Sequence, residues 1–179
     1  DMALAKQLFT CGRELWNLYG PTETTIWSGA LKLDEQMLEQ SSIPIGAPIT
    51  NTQFYVLDQQ QHQVPIGVPG ELYIGGAGLS PGYWNKPDLT AERFVKISPQ
   101  SPNSPIPYLL YKTGDRVRYR ENGTLDYLGR LDNQIKLRGF RIELGAIEAN
   151  LTRHQEVSQA VVVVSEGENP QLFAYLTVT

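Results

Sequence analysis

The chain has 179 residues, with 15 Lys and Arg against 19 Asp and Glu for a formal net charge of −4, and 41% of its residues are hydrophobic. That composition belongs to a folded globular chain and excludes disorder, collagen and coiled coil. The longest purely aliphatic run, Ala160 to Val164, is far short of the roughly 18–20 apolar residues a membrane helix needs, and no basic stretch followed by an apolar one opens the sequence, so neither a membrane span nor a signal peptide is expected.

Residues 4 to 16 are expected to form a short amphipathic helix running into Trp16-Asn-Leu-Tyr19, with a break at Gly20-Pro21. From Ile43 to Ile74 the pattern becomes β-rich. Phe54 to Leu57 and Glu71 to Ile74 read as strands, Pro65 to Gly70 as a turn, and the whole as a small barrel or distorted sheet. Gly75 to Gly78 reads as a tight turn, and Thr90 to Phe94 as one helical turn with Thr90 as its cap. Residues 98 to 107, rich in proline and serine, read as a surface loop. Tyr108 to Tyr119 and Leu125 to Tyr127 read as strands around Glu121-Asn-Gly123, a strong hairpin signal. Beyond Asp132, Gln134 to Leu137 can pair with Phe140 to Ile142 around Arg138-Gly139. A helix over Glu143 to Arg153 and strands at Val157 to Val164 and Leu172 to Val178 follow. This β-β-α-β-β order predicts a compact α+β unit of its own, with a boundary near Gly129 to Asp132.

Cys11 is the single cysteine, which excludes an internal disulfide and any Cys-based metal site and makes a reducing, cytoplasmic location the expectation. The chain begins at Asp1 rather than Met, and is expected to come from a longer polypeptide. Charge is distributed unevenly: Lys112 to Arg141 holds eight of the fifteen bases against four acids, net +4, leaving the rest at −8. A basic segment on an acidic chain points to a local anionic ligand rather than a nucleic-acid surface, and reads equally as a solvated face of mixed charge.

Familiar phosphate and metal signatures fail. Pro81 stands where a dinucleotide fingerprint after Gly76-Ala-Gly78 wants glycine, and there is no Gly-Lys-Ser/Thr, His-Glu-x-x-His or Gly-x-Ser-x-Gly. His62 and His154 are isolated. Four other segments carry chemistry. Asn17-Leu-Tyr-Gly-Pro-Thr-Glu-Thr-Thr25 joins an aromatic ring, a sharp turn, hydroxyls and a carboxylate suited to Mg²⁺; it reads also as a turn with a cap. Thr113-Gly-Asp115 sets on a turn a carboxylate that could accept from two ribose hydroxyls, although turn chemistry explains it equally well. Gly129-Arg130-x-Asp132 and Lys136-Leu-Arg-Gly139 follow at the expected boundary.

Together with Gly70-Glu-Leu-Tyr-Ile-Gly-Gly-Ala-Gly78 and Tyr111-Lys-Thr-Gly-Asp115, these segments resemble, in order, the adenylation domains of nonribosomal peptide synthetases, within the adenylate-forming ligase superfamily. The resemblance implies a mixed α/β fold: residues 1–131 as the distal part of the large adenylation subdomain with its β-barrel-like portion, and 132–179 as the start of a small C-terminal lid. It implies ATP and Mg²⁺ as cofactors, an amino acid as substrate, and a peptidyl carrier protein with a phosphopantetheine arm and neighbouring synthetase domains as partners, with no nucleic acid and no membrane.

By matching motif, Asn17, Tyr19 and Gly20 fall at the adenine, Thr22 at a phosphate and Glu23 at Mg²⁺. Asp115 falls at the ribose with Arg130 beside it, and Tyr127 at the nucleotide. Asp132 matches a hinge, Lys136 and Gly139 a tunnel for the carrier arm, and Thr22, Glu23 and Lys136 are the candidate catalytic residues. Leu18, Ile26 and Trp27 match walls of the acyl pocket, and their bulk and lack of charge resemble pockets for glycine or alanine; core packing of Trp27 is the competing reading. The family's phosphate loop and amine-binding Asp are expected upstream of Asp1, and its acyl-contacting lysine downstream of Thr179, so the isolated chain is not expected to turn over. The alternatives are an acyl- or aryl-CoA ligase of the same superfamily, or a noncatalytic binding module.

Overall fold

A computed structural model describes residues 2–40, 42–97, 109–132, 134–137, 140–165, 167 and 170–178. Two compact units divide the chain, Asp1–Leu131 and Asp132–Thr179. The loop expected at 98–107, together with Arg138 and Gly139, lies outside the described residues.

The first unit opens with α1 (Met2–Phe9), shorter than the periodicity predicts. Turn residues Thr10 to Arg13 end it, and the chain then extends into β1 (Trp16–Tyr19), which pairs antiparallel with β2 (Gly29–Lys32), itself paired with β3 (Ala47–Pro48). The expected helix over 4 to 16 is therefore a helix and a strand: Leu15 packs against the Ala5, Leu33 and Leu38 cluster from outside the helix, its carbonyl accepting from the Leu33 amide at 2.9 Å.

The main sheet contains β4 (Thr52–Leu57), β5 (Gly70–Gly76), β6 (Phe94–Lys96), β7 (Leu109–Tyr119) and β8 (Leu125–Arg130), all antiparallel, in the order β4-β5-β7-β6 with β8 also on β7. Both faces of this sheet are covered. Phe54, Val56, Leu72, Ile74, Val117 and Leu125 pack on one, and Tyr55, Leu57, Tyr73 and Leu110 on the other. Two covered faces explain why β4 reads as an unbroken apolar run instead of an alternating one. Tyr19 of β1 packs on the first cluster, and Ile45 and Gly46 exchange hydrogen bonds with Leu125, so the small sheet is fastened to the large one.

Helix α2 (Pro87–Arg93) precedes β6. Its proline occupies the first turn, where a missing N–H is harmless. Thr90 is not its cap: the hydroxyl lies in mid-helix, donating to Lys86 O at 2.8 Å and accepting from the Tyr83 amide at 2.9 Å.

The second unit runs β9 (Gln134–Leu137), β10 (Phe140–Glu143), α3 (Leu144–Leu151), β11 (Val157–Val164) and β12 (Leu172–Val178), the β-β-α-β-β order read from the sequence. β9 pairs with β10 and β11 with β12, both antiparallel. Among the described residues no helix is long and apolar enough to cross a membrane.

Candidate active site

The end of β1 carries the first candidate residues into a tight loop, closed where the Ser28 amide donates to Tyr19 O at 2.8 Å. Only glycine fits at position 20, since a Cβ there would lie 2.4 Å from Ile26 O and 2.7 Å from Ser28 N. Thr22–Thr24 forms a turn of 3-10 helix, and Thr25 and Ile26 follow with φ of 64° and 67°. Two consecutive β-branched residues in the left-handed region are strained, and such strain collects at functional sites. The loop is braced from outside. Thr25 Oγ1 donates to Gly78 O at 2.8 Å, the Ser80 amide donates to Glu23 O at 2.9 Å, and the Thr24 and Ser28 hydroxyls meet at 2.5 Å.

Glu23 is buried, and the Tyr83 hydroxyl donates to its Oε1. Tyr83 is itself held edge-on against Phe94 with ring centroids 5.8 Å apart. Burial, then the hydrogen bond to Glu23, push the Tyr83 hydroxyl far above the ordinary phenol range, so it remains a donor. Among the described residues no group of three or more His, Cys, Asp or Glu gathers in one place. A single hard carboxylate, without a protein cage, suits Mg²⁺ that takes most of its ligands from phosphates and water. Thr22 is exposed at the loop's outer edge.

Asp115 sits in an irregular stretch of β7, buried, opposite Arg130 of β8. Arg130 donates to Asp115 Oδ1 at 2.8 Å and to Thr113 O at 3.0 Å, while the Tyr19 hydroxyl donates to Asp115 Oδ2. Burial and the adjacent Asp115 carboxylate hold the Tyr19 hydroxyl well above its ordinary range. Three residues from three strands therefore converge, and Tyr19 links them to the loop that holds Glu23. Tyr19's ring meets Phe54 edge-on, and the Asn17 amide donates to Pro44 O at 2.7 Å.

Leu18, Ile26 and Trp27 are 43%, 66% and 58% exposed, so Trp27 does not pack in the core. Tyr127 is also exposed. In the second unit Asp132 Oδ1 accepts from the Gln134 amide at 3.3 Å. Lys136 stands opposite Arg141 in the hairpin register, and its side chain, like Gly139, is outside the described residues. The basic segment proves less open than its count implies: Lys112 lies near Glu71, Arg118 and Arg120 pair with Asp126, and Arg130 with Asp115. Both histidines are exposed, His62 beside Asp58 at 3.6 Å.

The sequence reading missed Tyr83 and Glu71 as parts of this site. Glu71 Oε1 accepts from the Gly114 amide at 3.0 Å, next to Asp115. The available signal was a glutamate inside an otherwise apolar strand.

Residues 2–84 match the family model described as AMP-binding enzyme. A dimodular nonribosomal peptide synthase of Bacillus subtilis (strain 168) is 55% identical over 162 residues, 89% of this chain and 7% of that protein. A solved nonribosomal peptide synthetase protein with adenylation and carrier domains, PA1221, aligns with a TM-score of 0.85 and 31% identity over all of this chain and 36% of its own. A four-domain synthetase solved with AMP and glycine, AB3403, is 48% identical over all of this chain and 13% of its own, with a TM-score of 0.65. The chain thus spans a small fraction of the curated relatives it matches and about a third of the two-domain structure. With its motifs, its mixed α/β fold and relatives near half identity over most of its length, the chain belongs to the AMP-binding enzyme family, in the branch of nonribosomal peptide synthetase adenylation domains.

Proposed function

We propose that this chain forms the nucleotide-facing part of an amino-acid-activating adenylation domain. In the first step an amino acid carboxylate attacks the α-phosphorus of ATP, giving an aminoacyl-adenylate and pyrophosphate. In the second, the thiolate of a phosphopantetheine arm attacks the acyl carbon, giving a carrier-bound thioester and AMP. The observation that carries this reading is the Tyr19–Asp115–Arg130 junction. Two ribose hydroxyls match the two oxygens of a carboxylate, and Tyr19 and Arg130 fix the plane of Asp115 from opposite oxygens.

Around it, Asn17 and Gly20 border the adenine, with Tyr127 beside the nucleotide. The Thr22 hydroxyl donates to a phosphate oxygen. Glu23 would hold Mg²⁺, which when bound neutralises phosphate charge. Preorganised donors of this kind lower the barrier because they need no rearrangement as charge develops.

Residues 1–131 serve as part of the large subdomain and 132–179 as part of a lid turning about Asp132, with Lys136 and Gly139 along the path of the carrier arm. A carrier partner is supported by the adenylation–carrier architecture of the solved relatives. Glycine is the proposed substrate, with alanine next. Its support is the bulk of Leu18, Ile26 and Trp27, presented outside the core, and the glycine bound by the 48% identical synthetase.

ATP–pyrophosphate exchange by the synthetase carrying this sequence, run across a panel of amino acids, tests both levels. Fastest exchange with glycine or alanine is expected. Preference for an aromatic or charged amino acid would overturn the substrate, and exchange only with non-amino carboxylic acids, followed by coenzyme A thioester formation, would overturn the class.

A further inference from the structure

The segment Gly70–Gly78 supplies no contact to nucleotide or amino acid in the reading above, yet one of its side chains ends beside Asp115. Glu71 of β5 stands opposite Arg116 of β7, and Tyr73 opposite Lys112. Leu72 alone therefore faces three residues, Thr113, Gly114 and Asp115. An insertion of this size takes amides out of the ladder, and each buried one needs another acceptor.

Thr113 settles part of the account, donating to Leu72 O at 2.8 Å and accepting from the Asp115 amide at 2.9 Å. The Gly114 amide goes instead to Glu71 Oε1 at 3.0 Å. Gly114 has φ of 77°, a conformation open chiefly to glycine, and the peptide that precedes it is held at both ends, its carbonyl by Arg130 at 3.0 Å and its N–H by Glu71. Burial holds the Glu71 carboxyl above its ordinary range, against partial relief from Lys112 and the Gly114 amide. An apolar side chain at this position would fill the strand without that cost, but would leave the amide unmet.

We propose that Glu71 is a positioning residue for the nucleotide: by holding the Gly114 amide it fixes the bulge that presents Asp115 to the ribose. This rests on the reading of Asp115 as the ribose contact. The role is that of a hydrogen-bond acceptor at a given reach, not of a negative charge.

Two conservative variants separate those roles in the full synthetase, with AMP as the probe in calorimetric titration and ATP KM and kcat taken from pyrophosphate exchange. E71Q keeps the reach and drops the charge, and should bind AMP within about twofold of the parent. E71D keeps the charge and withdraws it by one methylene, and should bind AMP about fivefold more weakly, with ATP KM raised, while kcat at saturating ATP and the amino acid KM stay unchanged. The reverse order, or equal binding by both, overturns the proposal.

D115A is the control for the underlying reading. If it leaves AMP binding unchanged, the ribose assignment fails; if it weakens binding while E71D does not, only the Glu71 inference fails. Hydrogen exchange on the unaltered protein gives a test that needs no variant: the Gly114 amide should be among the slow ones, and exchange at the rate of an exposed loop sinks the idea.

Discussion

In Asp1–Leu131 Asn17, Tyr19, Glu23 and Asp115 are each held by a partner far away in sequence, as when the Tyr19 hydroxyl reaches Asp115 across 96 positions. In Asp132–Thr179 the described residues include only two buried side chains, Gln134 and Val162, while Phe140, Tyr175 and Val178 are largely exposed. Gln134 is tied to Glu143, and Glu148 of α3 accepts from the Val162 amide at 2.8 Å, but two-stranded ribbons provide most of the framework. One unit holds its polar groups against a sheet covered on both faces. The other carries its candidate residues on hairpins with little core. Rigid support suits groups that must meet ribose and phosphate in a fixed geometry, whereas a ribbon with few buried contacts opens at lower free energy.

Truncating one core residue in each unit gives the largest expected effects. Leu72 is fully buried between both strands flanking it, and Leu72→Ala should cost about 2–5 kcal/mol. Val162→Ala should cost about 2 kcal/mol. Hydrogen exchange read by mass spectrometry should rise across β4, β5 and β7 in the first variant and across β11 and β12 in the second. If Val162→Ala also loosened β4 to β8, the units would be one cooperative body and the contrast would dissolve.

Next comes the loop. Gly20→Ala places a methyl group against the Ile26 carbonyl and the Ser28 amide, so the strained turn must shift, at about 1–3 kcal/mol. Gly123→Ala is the useful comparison, since it carries the opposite burden: its φ of 78° is left-handed, as that of Gly20 is not, but nothing lies within 4 Å of its Cβ. Thermal unfolding should show Gly20→Ala as the more damaging, and only Gly20→Ala should weaken AMP binding. Equal losses would mean that the closeness of the loop costs no more than a left-handed backbone does at Gly123.

Tyr83→Phe removes one hydroxyl and leaves the ring on Phe94. A hydrogen bond to a charged group contributes about 1.5–3 kcal/mol, part of which the variant recovers through water. Because Tyr83 holds Glu23, the Mg²⁺ needed for half-maximal exchange should rise about threefold, and direct Mn²⁺ titration followed by electron paramagnetic resonance should weaken in parallel. An unchanged metal titration would separate Tyr83 from the site and leave it as a support for α2.

Much of the first unit was readable because its strands are bounded by proline, glycine and Asn-Gly, and the second because apolar positions 144, 147 and 151 recur at helical spacing. The Asp115 and Arg130 pair was legible through motifs alone. Their contact depends on a register between β7 and β8 that no local pattern specifies. The strand Trp16–Tyr19 was hidden because apolar residues ahead of it sustain a helical period through residues that in fact turn. Thr90 misled because threonine three residues into a helix and threonine at its cap look alike without the Pro87 signal. Tyr83 escaped because its partner, Glu23, lies 60 residues away.

Two carboxylates of the same sheet provide the finest test of how the first unit holds charge. Burial acts to raise the Asp126 carboxyl, but Arg120 and Arg118 outweigh it and hold the group below its ordinary 3.8. Its contribution to stability is therefore present above pH 3.8 and is lost as the pH falls through the lower, folded value. Glu71 runs the other way: held above 4.5 by burial, it favours the fold most below that pH, and this contribution is lost as the pH rises through the folded value. Asp126→Asn should thus cost about 1–2 kcal/mol at pH 7, with the gap to the parent closing as the pH falls below 3.8. Glu71→Gln should match or exceed the parent at pH 7, with its advantage shrinking toward pH 4.5. Melting curves of the three proteins from pH 3 to 7 should therefore fan apart in opposite directions. Parallel curves would mean that neither carboxylate is electrostatically distinct, and that the bulge and the Arg118–Asp126–Arg120 cluster are held by geometry alone.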